Sequence, residues 1–409
     1  MSVLISQNWR FYLKFRNSVL LVLLTIAKSQ SPYNAIGHGI IMDVPDAASV
    51  GISSSGLLPS LNNSFSPSNP TTWTDLSFTY LTGHYNNQNI ATDAYKSIFG
   101  TLSNATFILP IRGKYAFGMG ITPISRKTFN IAGDTTSIVF SGDTLNVSKQ
   151  LNGTGGISSM FFSGASNFVN NHTIGMRMDF LFGIYDELNV SNIDFRSSNY
   201  ARRFRYKGTY FSAYYRFLGD QKNHHFSLFS SLQFPVGYHY ITRTDFFEFL
   251  DPISRPKTDF LLPINISFGG NYKLLSSLYA SAEILMRSFN SKFNNDINSI
   301  HGEIGKANRI SLGLTKEKVI GSREFFDLFH YRVGFFRRSH YIRGLQSDLT
   351  ELGFSLGLGI PFGLTQNQLD FGLRISKREG FLSKSTETIT HLSVGLTVGD
   401  LWLIKGKRR

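Results

Sequence analysis

Glu351–Pro361 reads ELGFSLGLGIP, and its two registers differ completely. Leu352, Phe354, Leu356, Leu358 and Ile360 fall on one side; Gly353, Ser355, Gly357 and Gly359 fall on the other. The pattern repeats at once: Leu369, Phe371, Leu373 and Ile375 alternate with Asp370, Gly372, Arg374 and Ser376. It returns a third time, where Leu392, Val394, Leu396 and Val398 alternate with Ser393, Gly395 and Thr397. A period of two is the signature of strands, because successive side chains point to opposite faces of the pleat. One face is wholly apolar. The other holds glycine, hydroxyls and charges, so it is either wet or closely packed. Two architectures accommodate this: a soluble sandwich, or a membrane barrel with lipid outside and a polar lumen inside.

Working outward, fourteen strands are expected near 75–82, 104–111, 114–123, 156–167, 171–185, 206–218, 224–235, 260–271, 278–289, 307–316, 329–338, 350–360, 367–377 and 389–398. Many are close to the ten or so residues that cross a bilayer at a tilt. Short connections alternate with long polar ones, the latter at 83–103, 124–155, 186–205, 236–259, 290–306, 339–349 and 378–388. Residues 317–328 are the exception, a longer segment where a short turn is due. Short turns on one side, long loops on the other and an even strand count are the layout of bacterial outer-membrane barrels. Strand-end aromatics (Tyr115, Tyr185, Tyr210, Tyr331, Trp402) are placed in the interfacial girdles.

Composition agrees. The 409 residues include no cysteine, which excludes disulfides and thiolate metal sites. Mean hydropathy is −0.08, yet 14% of residues are aromatic; strands that are only half apolar give this combination. No 18-residue apolar run follows the N-terminal region, so helical spans are not expected. The net charge is +14. Arg10, Lys14, Arg16 and Lys28 belong to the first 29 residues, and removing those four from 41 leaves 37 basic against 27 acidic residues. These are scattered and not blocked, so no nucleic-acid partner is expected.

The start of the chain reads as an export signal. Basic residues precede Ser18–Ala27, SVLLVLLTIA, and Ala27-Lys28-Ser29 offers small residues at the cleavage positions. The expected organisation is a signal peptide at 1–29, an aperiodic Ser/Asn/Gly/Pro-rich segment at 30–73 folded into the lumen as a hatch, and a transmembrane antiparallel β-barrel at 74–409. The alternation places Arg177, Asp179, Arg216, Glu283, Arg287, Arg332, Asp370 and Arg374 inside. Five arginines thus face three acids. They form either an ion-pair lattice that stiffens the wall or a basic lumen that attracts an anionic headgroup. No catalytic motif is present. His224-His225 point to opposite faces of a strand, the carboxylates lack paired spacing, and Gly153-Thr154-Gly155-Gly156 has no following helix to bind phosphate. No enzyme activity, metal or cofactor is expected.

Several short elements carry a resemblance. Gln30-Ser31-Pro32-Tyr33-Asn34-Ala35-Ile36-Gly37-His38-Gly39 opens the mature chain. Ser68-Asn69-Pro70 precedes Trp73, and Gly155-Gly156-Ile157-Ser158 enters a strand. Gly395 to Lys405 ends in Asp400-Leu401-Trp402-Leu403-Ile404-Lys405. The chain resembles the FadL/TodX-type outer-membrane transporters of hydrophobic compounds. Thr71 stands where the family has alanine after Asn-Pro, and the chain ends in a basic tail. The resemblance implies an all-β, 14-stranded barrel with a luminal hatch in which Gly37, Gly39, Asn69 and Pro70 take part. It implies a monomer in outer-membrane lipid that passes hydrophobic small molecules such as long-chain fatty acids by diffusion. The competing reading is a structural or assembly subunit of an outer-membrane secretion or gliding apparatus, with no transported ligand. An open apolar cavity above the hatch favours transport; a lumen filled by ion pairs favours the structural role. A secreted β-sandwich would instead need long loops at both ends.

Overall fold

The computed structural model describes Asn34 and residues 39–400 apart from 44, 62–63, 93–95, 112, 134, 141–142, 170, 194–195, 222–223, 247–252, 255–257, 260–261, 290–302, 320, 344–347, 364–366 and 380–385. The expected signal peptide and Trp402 lie outside these residues.

Fourteen antiparallel strands form the wall: β1 (Thr79–Ala91), β2 (Lys96–Ile111), β3 (Tyr115–Arg126), β4 (Asp143–Val169), β5 (His172–Ile193), β6 (Arg196–Gln221), β7 (His224–Phe246), β8 (Ile264–Leu275), β9 (Leu278–Ser288), β10 (Ala307–Lys316), β11 (His330–Arg343), β12 (Asp348–Phe362), β13 (Asn367–Glu379) and β14 (Glu387–Asp400). Each pairs with its sequence neighbour, and β14 pairs with β1 from Asp400↔Thr79 to Thr388↔Ala91. The sheet is therefore closed, as its fourteen-fold alternation predicts, and no edge of the wall is left open.

The outer face is apolar. On β5, Ile174, Met176, Met178, Phe180, Phe182 and Ile184 are 41–57% exposed. Leu352, Phe354 and Leu356 of β12 and Leu392, Leu396 and Val398 of β14 are exposed likewise. A continuous band of this size cannot face water in a stable monomer. It faces lipid, and the protein is an outer-membrane β-barrel.

The four longest of the expected loops are mostly strand. Residues 83–91 and 96–103 continue the β1–β2 hairpin. β4 to β7 run for 27, 22, 26 and 23 residues, where about ten suffice to cross a bilayer. The hairpins climb past the apolar band, and short strands at Phe129–Ala132 and Thr136–Phe140 add to β4. Segments such as Gly83–Ile90 escape a hydrophobic-alternation reading because neither face meets lipid there; the hydrogen-bond ladder alone defines them as strand. Two of the expected girdle aromatics are also corrected. Tyr185 and Tyr210 are 0% and 7% exposed and point inward, in a cluster with Phe129, Phe204 and Tyr206. Residues 317–328, longer than a turn, contain a 3₁₀ turn at Phe325–Leu328.

The described part of the N-terminal segment lies inside the barrel. Ile40–Ile41 pairs with Arg126 and Ser125 at the upper end of β3. The chain then descends through helix α1 (Ala47–Gly51) and a 3₁₀ turn at Pro70–Thr72, and reaches β1 at the base.

Candidate functional site

The lumen is where the chain spends its buried charge. Asp43, on the inner segment, accepts from three wall arginines: Arg287 of β9 at 3.0 Å, Arg309 of β10 at 3.1 Å and Arg338 of β11 at 2.9 Å. Burial alone would raise the Asp43 pKa, but the guanidiniums of Arg287, Arg338 and Arg309 outweigh it and hold the carboxyl well below the ordinary 3.8. Arg338 continues to Glu351 of β12 at 2.6 Å, and Glu351 also accepts from the Ser376 hydroxyl at 2.7 Å. Guanidinium forks suit such shared arrangements, because one planar group reaches two carboxylates at once.

Below Asp43, α1 rests on glycine. Asp46 caps it, accepting from the Ser49 amide at 2.9 Å and the Ser49 hydroxyl at 2.7 Å. A Cβ on Gly357 of β12 would lie 2.9 Å from Gly51 Cα, and one on Gly372 of β13 would lie 2.6 Å from the Ala47 carbonyl. The glycine face of the 351–398 strands is thus a packing face, shaped to receive the helix. Ser355 donates to the Gly51 carbonyl at 2.9 Å, and Arg309 donates to the Ser53 carbonyl at 2.6 Å. The hydroxyls of Ser54 and Ser55 both donate to Glu283, as does the Ser55 amide at 3.0 Å.

The sequence-derived luminal residues all lie on the inner face, in separate groups. Arg177 and Asp179 form a two-point pair at 2.7 and 2.9 Å, with Arg177 over the Phe161 ring. Arg216 reaches Asp75 at 2.6 Å, and Arg332 reaches Asp370 at 2.7 Å. Glu283 and Arg287 hold the inner segment, as above. Arg374 lies beside the Phe336 ring with Arg309 and Arg338, at 5.1, 4.7 and 6.0 Å. Its Nε and Nη2 have no partner among the described residues.

Of the residues assigned to a hatch, Gly37 lies outside the described set. Gly39 has φ +82°, and its carbonyl accepts from the Tyr341 hydroxyl. A Cβ there would meet the Arg126 carbonyl at 2.1 Å. Asn69 bonds Thr71 through its Oδ1, at 3.1 Å from the amide and 2.7 Å from the hydroxyl, and donates to the Leu57 carbonyl at 2.8 Å. Pro70 packs toward Gly175 of β5.

Sequence reading missed Asp43, Arg309, Arg338 and Glu351, the centre of the lattice. Glu351 and Arg309 were within reach, since each continues the inward register of its own strand. Arg338 sat at an expected strand end, and Asp43 sits in an aperiodic stretch where no pattern marks it. Arg378 and Glu387, a buried ion pair, fell in a segment expected to be loop.

Among the described residues, larger hollows of about 670 and 490 Å³ open at the base beside Gly113 and Asn167 and on the outer face beside Leu228 and Phe268, and two smaller cavities lie against the inner segment. One, of about 130 Å³, is lined by Asp43, Arg177, Asp179, Tyr210, Asn265 and Arg287 among others. The second, of about 240 Å³, opens near the base among Asp46, His84, His330 and Asp370. No group of three or more His, Asp or Glu side chains among the described residues could hold a metal ion. The arrangement favours fixation: the Asp43 and Glu283 links join the inner segment to the wall, and Arg338–Glu351 and Arg332–Asp370 join one strand to another.

Comparison with solved structures shows the same fold at low sequence identity. A Pseudomonas aeruginosa FadL homologue superposes with a TM-score of 0.57 at 11% identity, covering 88% of this chain and 99% of the other. The Ralstonia pickettii toluene transporter TbuX gives 0.52 at 12%, covering 91% and 98%. The P. putida toluene transporter TodX gives 0.50 at 9%, covering 81% and 92%. A comparison with curated proteins finds no match. A family model described as BamG matches residues 14–408, almost the full length, and the chain belongs to the BamG family.

Proposed function

We propose that this protein is a plugged barrel, a structural or assembly subunit of an outer-membrane apparatus, which holds residues 39–73 as a permanent hatch. The observation that carries this reading is the Asp43 clamp. One carboxylate accepts from arginines on three successive strands, and each of these four side chains is at most 20% exposed. Releasing the hatch would strip Arg287 and Arg309 of the ion pair they make among the described residues and leave Arg338 with Glu351 alone, a cost of several kcal/mol. The space left over supports the same reading. Ligand pockets are usually about 300–1,000 Å³, whereas the cavities against the inner segment, of about 130 and 240 Å³, offer a fatty acyl chain little room. The tall β4–β7 wall provides surface beyond the membrane on which another subunit could rest.

Passive uptake of hydrophobic molecules such as long-chain fatty acids is the second reading. It draws on the fold shared with a FadL homologue and two toluene transporters. One local feature favours it: the β6–β7 register breaks between Pro235 and Gly237, and Val236 there is 63% exposed. Pro263, just before β8, lines the 130 Å³ cavity on the same side. A gap in the wall there would serve as a lateral exit. Pro110, by contrast, pairs regularly with Ala116.

Fatty-acid binding by the detergent-purified barrel, with and without residues 39–73, separates the two. The structural reading expects no saturable binding by the intact protein and migration in a larger complex on native gels of mildly solubilised membranes. Saturable binding that changes on hatch deletion, by a barrel migrating alone, would establish the channel.

A further inference from the structure

The positive charge of the chain has a second destination, outside the barrel. On β11 the outward residues run Tyr331, Val333, Phe335 and then Arg337; on β13 they run Leu369, Phe371, Leu373, Ile375 and then Lys377. Each cation is the first outward residue beyond the apolar run of its strand, at the end away from the short turns. Registers place both in one row, with Arg337 paired to Leu352 and Leu352 paired to Lys377. Strands lie about 4.8 Å apart, so the two backbones stand about 10 Å apart on either side of an exposed leucine. Both side chains are exposed. Neither has a hydrogen bond or ion pair among the described residues, unlike Arg338 and Arg378 just across the wall. The nearest outward acid on these strands is Glu379, one step further from the membrane. Lys207 and Arg205 of β6 repeat the arrangement elsewhere on the wall, opposite Phe182 and Ile184 of β5 at the top of the apolar band.

Unpaired cations at the edge of a lipid-facing band snorkel toward the headgroup layer. Their natural counter-charge there is a lipid-borne anion, and an arginine fork beside a lysine point charge fits a phosphate monoester. We propose that Arg337 and Lys377, flanking Leu352, form a binding site for the phosphorylated headgroup of an outer-leaflet glycolipid, with an acyl chain lying along Leu352 and Phe354. The lipid is a structural neighbour of the wall and not a transported ligand, so the site stands whichever reading of the lumen holds.

The test is native mass spectrometry of the detergent-purified full chain, titrated with lipid A, with dephosphorylated lipid A and with inorganic phosphate. The wild type should retain lipid A and not the dephosphorylated form. The double substitution Arg337→Gln with Lys377→Gln should weaken retention by about tenfold or more. Arg323→Gln, on the 317–328 connection at the opposite end of the barrel, should leave it unchanged. Both variants alter exposed side chains, and heat-modifiable migration on gels confirms that they fold. Equal retention of the dephosphorylated lipid, or retention unaffected by the double substitution, would overturn the site. Occupancy by inorganic phosphate as tight as by lipid A would overturn its assignment to a lipid.

Discussion

Ser355 and Gly51, 304 residues apart in the chain, are joined by a 2.9 Å hydrogen bond in which the wall serine donates to the carbonyl ending helix α1. The bond forms because the inner face of β12 is flanked by glycines that let the helix backbone approach. Filling that recess should expel the helix and spare the wall. Gly372→Leu would drive a side chain into the Ala47 carbonyl and Val50, at a cost of about 1–3 kcal/mol from overpacking alone. The expected result is a heat-modifiable barrel in which chymotrypsin cuts between Leu57 and Phe65. Leu356→Val, on the lipid face of β12, should leave the hatch protected. A Gly372→Leu barrel with a fully protected hatch would show that the helix does not depend on this surface.

Asp43→Asn removes the charge shared by Arg287, Arg309 and Arg338. Breaking one side of a buried ion network typically costs about 3–5 kcal/mol, because the remaining charges stay desolvated. Hydrogen exchange should rise sharply across residues 39–58, and planar-bilayer recordings should show conductance that the wild type lacks. Asp43→Glu, which keeps the charge on a longer arm, should be intermediate. If Asp43→Asn behaves as wild type, the clamp is not what retains the hatch.

The same carboxylate sets an acid limit. Its pKa is depressed in the folded protein, so its contribution is fully present above the unfolded value, near 3.8, and is lost as pH falls from there through the folded value. Hatch protection should be flat from pH 8 to about 5 and begin to fall only below about 4. The onset should disappear in Asp43→Asn, which starts from the released level. A transition near pH 6 in the wild type would point to histidine control instead.

The fold was legible wherever lipid enforces alternation. Ile174 to Ile184 and Leu352 to Leu358 announce their faces because one side must be apolar. Above the membrane that constraint ends, and strand segments such as Gly83–Ile90 and Arg196–Arg205 read as polar loop. Tyr185 and Tyr210 show a different error. Their parity matches Asp179 and Ser212, so the alternation already places them inside, and only an association of tyrosine with girdles placed them outside. The lumen was half legible. Inward arginines follow from parity, but their partners do not, because Asp43, Ser54 and Ser55 belong to an aperiodic segment whose position is set by tertiary contacts alone.

Asn69 ties the lower hatch together in three directions. Its side chain accepts from the amide and the hydroxyl of Thr71 and donates to the Leu57 carbonyl. All of these groups are buried, so water cannot replace the lost bonds, and Asn69→Ala should cost about 1–3 kcal/mol. The loss should be local. Exchange should quicken from Leu57 to Trp73, whose indole donates to the Ser66 carbonyl at 2.8 Å, while the Asp43 clamp and the wall keep wild-type protection. Asn69→Asp, which sets a buried carboxylate oxygen against the Leu57 carbonyl with no cation beside it, should loosen the same stretch at least as much as Asn69→Ala. Uniform loosening of the whole segment in Asn69→Ala would instead show that the upper and lower halves of the hatch form one cooperative unit.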